Sequence, residues 1–198
     1  PSPLNGFDLF NYMGLIVCAR ARDYAEITFK KFADELQAKY EAGQYAFGAA
    51  ENEKCRVAWE GIAVWTYLGH TFKTLKKEGA VMVGSCYPGM WSLVYKPGDM
   101  LSMAEAYTKI YINTCLENRA NVLKETAEKS HSEGAVMHLN RSCKLMGFLN
   151  NEGGEYLTKE LGIPYVSFDG DQTDPRNYSE AQYETRVQAL VEMIQERK

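Results

Sequence analysis

The sequence has no closely spaced cysteine pair, few histidines and no long apolar run, and each shortage excludes a class of protein. Its five cysteines, Cys18, Cys55, Cys86, Cys115 and Cys143, are odd in number and scattered over 198 residues. That pattern suits a reducing cytosol rather than a disulfide framework. The best apolar stretch, Leu15 to Ala19, is far short of the roughly 18 to 20 residues that span a bilayer and lacks the basic flank of a signal peptide. Twenty-six acidic against 22 basic residues leave a net charge of −4, which argues against a protein that grips nucleic acid by neutralising phosphates. The three histidines, His70, His131 and His138, show neither HExxH nor paired spacing, so a mononuclear zinc site is disfavoured. Gly84-Ser85-Cys86 is not a GxSxG elbow, and Gly153-Gly154 belongs to no GxGxxG or Walker spacing. There is no initiator Met: the chain opens Pro1-Ser2-Pro3, which points to a piece of a longer protein.

The remaining composition, 45% apolar and 24% charged, is that of a globular chain. Phe7 to Tyr40 contains no proline, and Tyr24, Ile27, Phe29, Phe32, Leu36 and Tyr40 recur near helical spacing, predicting one or two helices. With the small-residue connection Gly43 to Asn52 they form a helical lead-in over 1–52. From 53 to 198 short β-rich runs alternate with helix-length segments. The runs are Val57 to Val64, Ala80 to Gly84, Ala135 to Leu139 and Tyr165 to Phe168. The segments between them are Leu68 to Glu78, a long helix over Leu101 to Ser130 with Ala104, Tyr107, Ile110, Tyr111 and Thr114 on one face, and Glu152 to Leu161, stopped by Gly162 before Pro164. A final helix begins at a capping box, Ser179 with Gln182, and buries Tyr183, Val187, Leu190, Val191 and Ile194. Strands apolar almost throughout imply a parallel sheet covered on both faces. The expected fold is therefore α/β, three-layered and flavodoxin-like, with four parallel strands.

In such sheets ligands bind where connections leave the carboxyl ends of the strands. This selects four loops: Trp65 to Gly69, Ser85 to Trp91, Asn140 to Lys144 and Asp169 to Asn177. Cys143 is the sharpest candidate, because Arg141 and Lys144 flank it with positive charge that favours a thiolate, the form needed for metal ligation or nucleophilic attack. A small apolar residue under a loop is an equal reading of the same position. Cys86 ends a neighbouring strand and reads more readily as an inert thiol, while Cys18, Cys55 and Cys115 are expected to pack in the core. His138, inside a strand, reads as a core imidazole. The carboxylates Asp169, Asp171 and Asp174 are expected to cap turns rather than hold a cation. Trp59, Trp65 and Trp91 are assigned no role.

At Asn140-Arg141-Ser142-Cys143-Lys144, Asp169 to Asn177 and Ala181 to Arg186 the sequence resembles the 2-hydroxyacyl-CoA dehydratase and benzoyl-CoA reductase family. Trp59 to Trp65, Tyr67 to Lys73 and Tyr87-Pro88 extend the likeness over nearly the whole chain. It is strongest to the carboxyl-terminal half of the beta-type (component D) subunits that act on (R)-2-hydroxyglutaryl-CoA. Those subunits are about twice this length. The resemblance implies a 4Fe-4S cluster held by three cysteines, of which only the position of Cys143 lies in this chain, with Arg141 and Ser142 placed to donate hydrogen bonds to it. It implies radical reductive dehydration to an enoyl-CoA, started by one electron from an ATP-dependent activator Fe-S protein. The expected partners are an alpha-type dehydratase subunit, that activator and an acyl-CoA substrate, with a flavin in the intact complex and a cytoplasmic location. An aromatic acyl-CoA reductase subunit and a metal-free module that binds acyl-CoA or a partner are the alternatives. The 198 residues alone are expected to be inactive.

Overall fold

Four apolar runs form strands in the computed structural model, which describes residues 1–198. They are β1 (Cys55–Glu60), β2 (Ala80–Ser85), β3 (Gly134–Asn140) and β4 (Tyr165–Gly170). All neighbours are parallel, in the order β2-β1-β3-β4. The register pairs Trp59 with Val136, and Val136 in turn with Val166. The chain leaves β1 for β2 on one side and returns to β3 on the other, so connections diverge at the carboxyl ends of β1 and β3. That divergence is the topological switch point where open α/β sheets bind ligands.

Helices cover both faces. The helices α1 (Gly6–Cys18), α2 (Asp23–Glu41), α3 (Leu68–Glu78), the single turn α4 (Cys86–Gly89), α5 (Met100–Thr108), α6 (Leu116–Lys129), the single turn α7 (Lys144–Gly147), α8 (Asn150–Leu161) and α9 (Glu180–Gln195) follow in chain order. Helices α3 and α9 pack together on one face and α6 and α8 on the other, giving the three-layered, flavodoxin-like α/β arrangement. Helix α9 buries the five apolar residues its spacing selects, and Ser179 Oγ accepts from the Gln182 N–H at 3.4 Å. Helix α8 ends at Gly162, whose φ of 69° is the left-handed stop that glycine allows.

The lead-in is two helices. Asn5 caps α1, which sinks Phe7, Phe10 and Met13 into the sheet core. Both phenylalanines meet the buried Trp59 edge-on, with centroids 5.4 and 6.3 Å away. Helix α2 buries only Ala25; Phe29 and Phe32 lean on Tyr12 of α1, while Tyr24, Ile27 and Tyr40 stay exposed.

Two expectations need correction. The first strand stops at Glu60 rather than Val64, because Gly61, at φ 107°, turns the chain against the His138 carbonyl, and Ala63 and Val64 are buried as loop. The single long helix over Leu101 to Ser130 is instead α5, a 3-10 turn at Tyr111–Asn113 and α6. Of the face expected on it, Tyr111 is buried, and it leaves the helical path to reach Glu60. No helix is long and apolar enough to cross a membrane.

Candidate functional site

The loops after β3 and β4 are fixed to each other at the carboxyl edge of the sheet. Arg141 N–H donates to the Gly170 carbonyl at 3.0 Å, and Asn140 Nδ2 donates to Gln172 Oε1 at 3.3 Å. The Ser142 hydroxyl donates to Asp171. Asp171 is fully buried and also accepts from the N–H groups of Thr173 and Asp174, both at 2.9 Å. Burial alone would raise its carboxyl, but these hydrogen bonds, led by Ser142, overcome that and hold it well below the usual carboxylate range. The Arg141 guanidinium pairs with Asp169 at 2.8 Å; both side chains are largely exposed, so the pair is worth at most about 1 kcal/mol. Asp174 caps the Arg176 N–H and pairs with its guanidinium. Asp171 and Asp174 thus cap turns, as their spacing implies, whereas Asp169, near the end of β4, pairs with Arg141 instead of capping a turn.

Cys143 sits half-buried between these loops, at the N-cap position of α7, packed against the core edge. Its backbone is set on both sides: its N–H meets the Asn140 carbonyl at 3.3 Å and its carbonyl accepts from Gly147 at 2.8 Å. A Cβ on Gly147 would lie 2.7 Å from the Asn140 carbonyl, so only glycine lets the turn fold back this closely. A cleft of about 350 Å3 lies beside the turn, lined among others by Arg141, Lys144, Phe148 and Asp169.

The other cysteines separate cleanly. Cys86 is buried and its thiol is turned to Thr126 Oγ1 on α6, 3.6 Å away. Burial and the neighbouring Glu60 carboxyl push that thiol well up, which disfavours the free thiolate. Cys55 is core, as expected. Cys18 and Cys115 are exposed, contrary to expectation, because they fall at the last residue of α1 and the N-cap of α6, where a helix face no longer points inward. His138 is a buried imidazole stacked on Phe168, with centroids 5.0 Å apart; burial lowers it to about 4. His70, at the start of α3, lies 2.7 Å from the Tyr178 hydroxyl and 3.2 Å from Glu184. Trp59 is core, and Trp65 is partly exposed.

The description "2-hydroxyglutaryl-CoA dehydratase, D-component" belongs to the family model that matches residues 1–194. The chain is a member of that family. Lactoyl-CoA dehydratase subunit alpha of Anaerotignum propionicum is 62% identical over 197 residues, which cover 98% of this chain and 46% of that protein. The (R)-2-hydroxyisocaproyl-CoA dehydratase alpha subunit of Clostridioides difficile is 43% identical over 198 residues, all of this chain and 48% of that protein. A benzoyl-CoA reductase subunit of Thauera aromatica is more distant, at 26% over 157 residues, covering 76% of this chain and 36% of that protein. The chain spans about half the length of the dehydratase subunits it matches. The family model is the expected D-component, whereas the dehydratase relatives are named alpha rather than beta subunits.

The iron-sulfur cluster that the sequence resemblance implies can be tested against the residues at this site. Such clusters take several thiolates. Here one half-buried thiol, Cys143, is presented at the loop, Cys86 is sealed against α6, and no three His, Cys, Asp or Glu residues converge anywhere in the chain. These residues fit one ligand position and do not by themselves make a cluster site. Sequence reasoning located Cys143, Arg141 and Ser142 but missed what holds them. The Asx-turn spacing of Asp171 with Thr173 and Asp174 could have signalled its anchoring role, whereas the buried group formed by Glu60, Tyr111 and Arg119 has no sequence signature.

Proposed function

We propose that this chain is part of the alpha-type subunit of a 2-hydroxyacyl-CoA dehydratase and that Cys143 supplies one thiolate to a 4Fe-4S cluster whose other ligands lie outside the 198 residues. The observation that carries this reading is the placement of Cys143. It is a half-buried thiol at the switch point of the sheet, on a turn held by its own backbone bonds to Asn140 and Gly147 and by the Ser142 side chain on Asp171. When bound, the cluster would supply one-electron transfer. The chain's own contribution is rigid presentation of the thiol; the Ser142 hydroxyl gives its one proton to Asp171 and Arg141 pairs with Asp169, so both brace the turn rather than donate to the cluster as the sequence suggested. The 62% identity to a lactoyl-CoA dehydratase subunit favours a small 2-hydroxyacyl group such as lactoyl over the 2-hydroxyglutaryl group expected from sequence. With the alpha label on this chain, its partners become the second dehydratase subunit, an ATP-dependent activator and the acyl-CoA. Five unpaired thiols favour a cytoplasmic setting.

Anaerobic purification of the intact subunit, with iron and sulfide counted before and after Cys143→Ala, tests the assignment. Loss of iron in the variant is the expected result, and unchanged iron would overturn Cys143 as a ligand. Turnover of lactoyl-CoA rather than benzoyl-CoA by the subunit with its partner and activator is expected; the reverse preference would favour an aromatic acyl-CoA reductase.

A further inference from the structure

Helix α7 is a single turn, and a helix this short has little stability of its own and leaves its carbonyls without intrahelical partners. One of these, the Leu145 carbonyl, accepts from Arg119 Nη1 at 2.6 Å, while Arg119 Nη2 lies 3.8 Å from Met146 Sδ. Arg119 comes from α6 and is 3% exposed, an unusual place for a guanidinium. It is held from behind. Its guanidinium lies over the Tyr111 ring, 4.9 Å from the centroid, and 4.0 Å from the buried carboxylate of Glu60 at the end of β1. The Tyr111 hydroxyl donates to the same Glu60 oxygen at 2.7 Å. Three buried polar side chains from β1, the Tyr111 turn and α6 thus converge beneath the turn that begins at Cys143.

Burying such a group is costly unless its geometry and hydrogen bonds offset the desolvation, and the hydrogen bond Arg119 makes goes to the turn. We infer that Arg119, locked by Glu60 and Tyr111, is a positioning residue that holds the Leu145 carbonyl and thereby sets the conformation in which Cys143 is presented. The planar fork is essential, because Nη1 reaches the Leu145 carbonyl while Nη2 lies between the Met146 thioether and Glu60 and the guanidinium plane covers the Tyr111 ring. A lysine ammonium is a point charge and cannot span them. The Cys143 turn is then fixed from two directions, by Asp171 through Ser142 and by Arg119 through Leu145. The importance of this positioning rests on the dehydratase reading; the positioning itself does not.

The test is iodoacetamide alkylation of each cysteine in the intact, metal-free subunit, followed by peptide mass spectrometry, for wild type, Arg119→Lys and Tyr111→Phe. In Arg119→Lys, Cys143 should react about tenfold faster through local opening of the turn, while Cys55 and Cys86 stay protected and the melting temperature moves little. Tyr111→Phe keeps the ring under the guanidinium and removes only the hydroxyl on Glu60; a rise of about threefold is expected. A wild-type Cys143 rate in folded Arg119→Lys would overturn the inference, as would equal gains at Cys55 and Cys86, which would mark general loosening. If Arg119→Lys does not fold, an unchanged Cys143 rate in Tyr111→Phe overturns it instead. In the assembled dehydratase, Arg119→Lys should lower kcat and leave KM unchanged. Absence of turnover in wild type would count against the dehydratase reading alone.

Discussion

The hydroxyl of Ser142, in the loop after β3, donates to the buried carboxylate of Asp171, in the loop after β4. Ser142 adjoins the candidate ligand, so the geometry of Cys143 depends on a residue 28 positions further along the chain. Asp171→Asn keeps the shape but removes the charge that the surrounding donors stabilise. The expected loss is about 1.5–3 kcal/mol at neutral pH, the range for hydrogen bonds to a charged group, measured by urea unfolding. Because the folded carboxyl is held below its unfolded value, its stabilisation is complete above the unfolded value near about pH 4. It is lost only as pH falls through the folded one. The gap between wild type and variant should therefore be flat from pH 7 to about pH 5 and close only in stronger acid. A gap that closes between pH 7 and pH 6 would show that another group is responsible.

Much of the architecture was legible because burial follows local pattern. The α9 stripe and the Gly162 stop are where spacing puts them, and the Asn140 to Lys144 and Asp169 to Asn177 motifs turn out to be the two halves of one braced loop pair. What was not legible depends on distant partners. No glycine or proline marks the break at Tyr111, because the chain departs from helix there to carry a phenol to Glu60, 51 residues earlier. Arg119 reads in sequence as one more charge on an amphipathic helix, and only the folded chain shows it buried beneath α7.

Gly61 decides where β1 ends. A Cβ there would lie 2.7 Å from the His138 carbonyl and 3.0 Å from Asn150 Nδ2, at a φ of 107°. Strain of this kind costs about 1–3 kcal/mol per residue, and the crowding against backbone adds to it. Gly61→Ala should lower the melting temperature clearly, whereas Gly69→Ala, with open space around its Cβ, should not. Equal melting temperatures for the two variants would show that the turn yields to the added methyl.

His138 should give the protein a pH dependence of opposite reach to that of Asp171. Burial lowers the imidazole to about 4, so the folded state keeps it neutral while the unfolded chain protonates near 6.5. Its contribution is present above about pH 6.5 and declines as pH falls towards about 4. A shift of this size corresponds to about 3 kcal/mol. His138→Phe forfeits the hydrogen bond to the Ile62 carbonyl at every pH, so it should be less stable at pH 7. The difference should shrink steadily between pH 6.5 and pH 4, as read by denaturant unfolding at each pH. A constant difference across that window would mean the imidazole is protonated alike in both states.

The five thiols should report the fold directly. Cys18 and Cys115 are exposed and should react with an aromatic disulfide reagent in the native protein. Cys55 and Cys86 are buried, and burial also raises Cys55 to about 11 and Cys86 well above the ordinary thiol range. Both effects suppress the reactive thiolate, so these two should react only after unfolding in guanidinium. Cys143, half-buried on its braced turn, should fall between the groups in metal-free protein and become unreactive when iron is bound. Peptide mapping at successive times separates the three classes. A Cys86 that reacts as fast as Cys18 would break the contact with Thr126 on which its exclusion as a ligand rests.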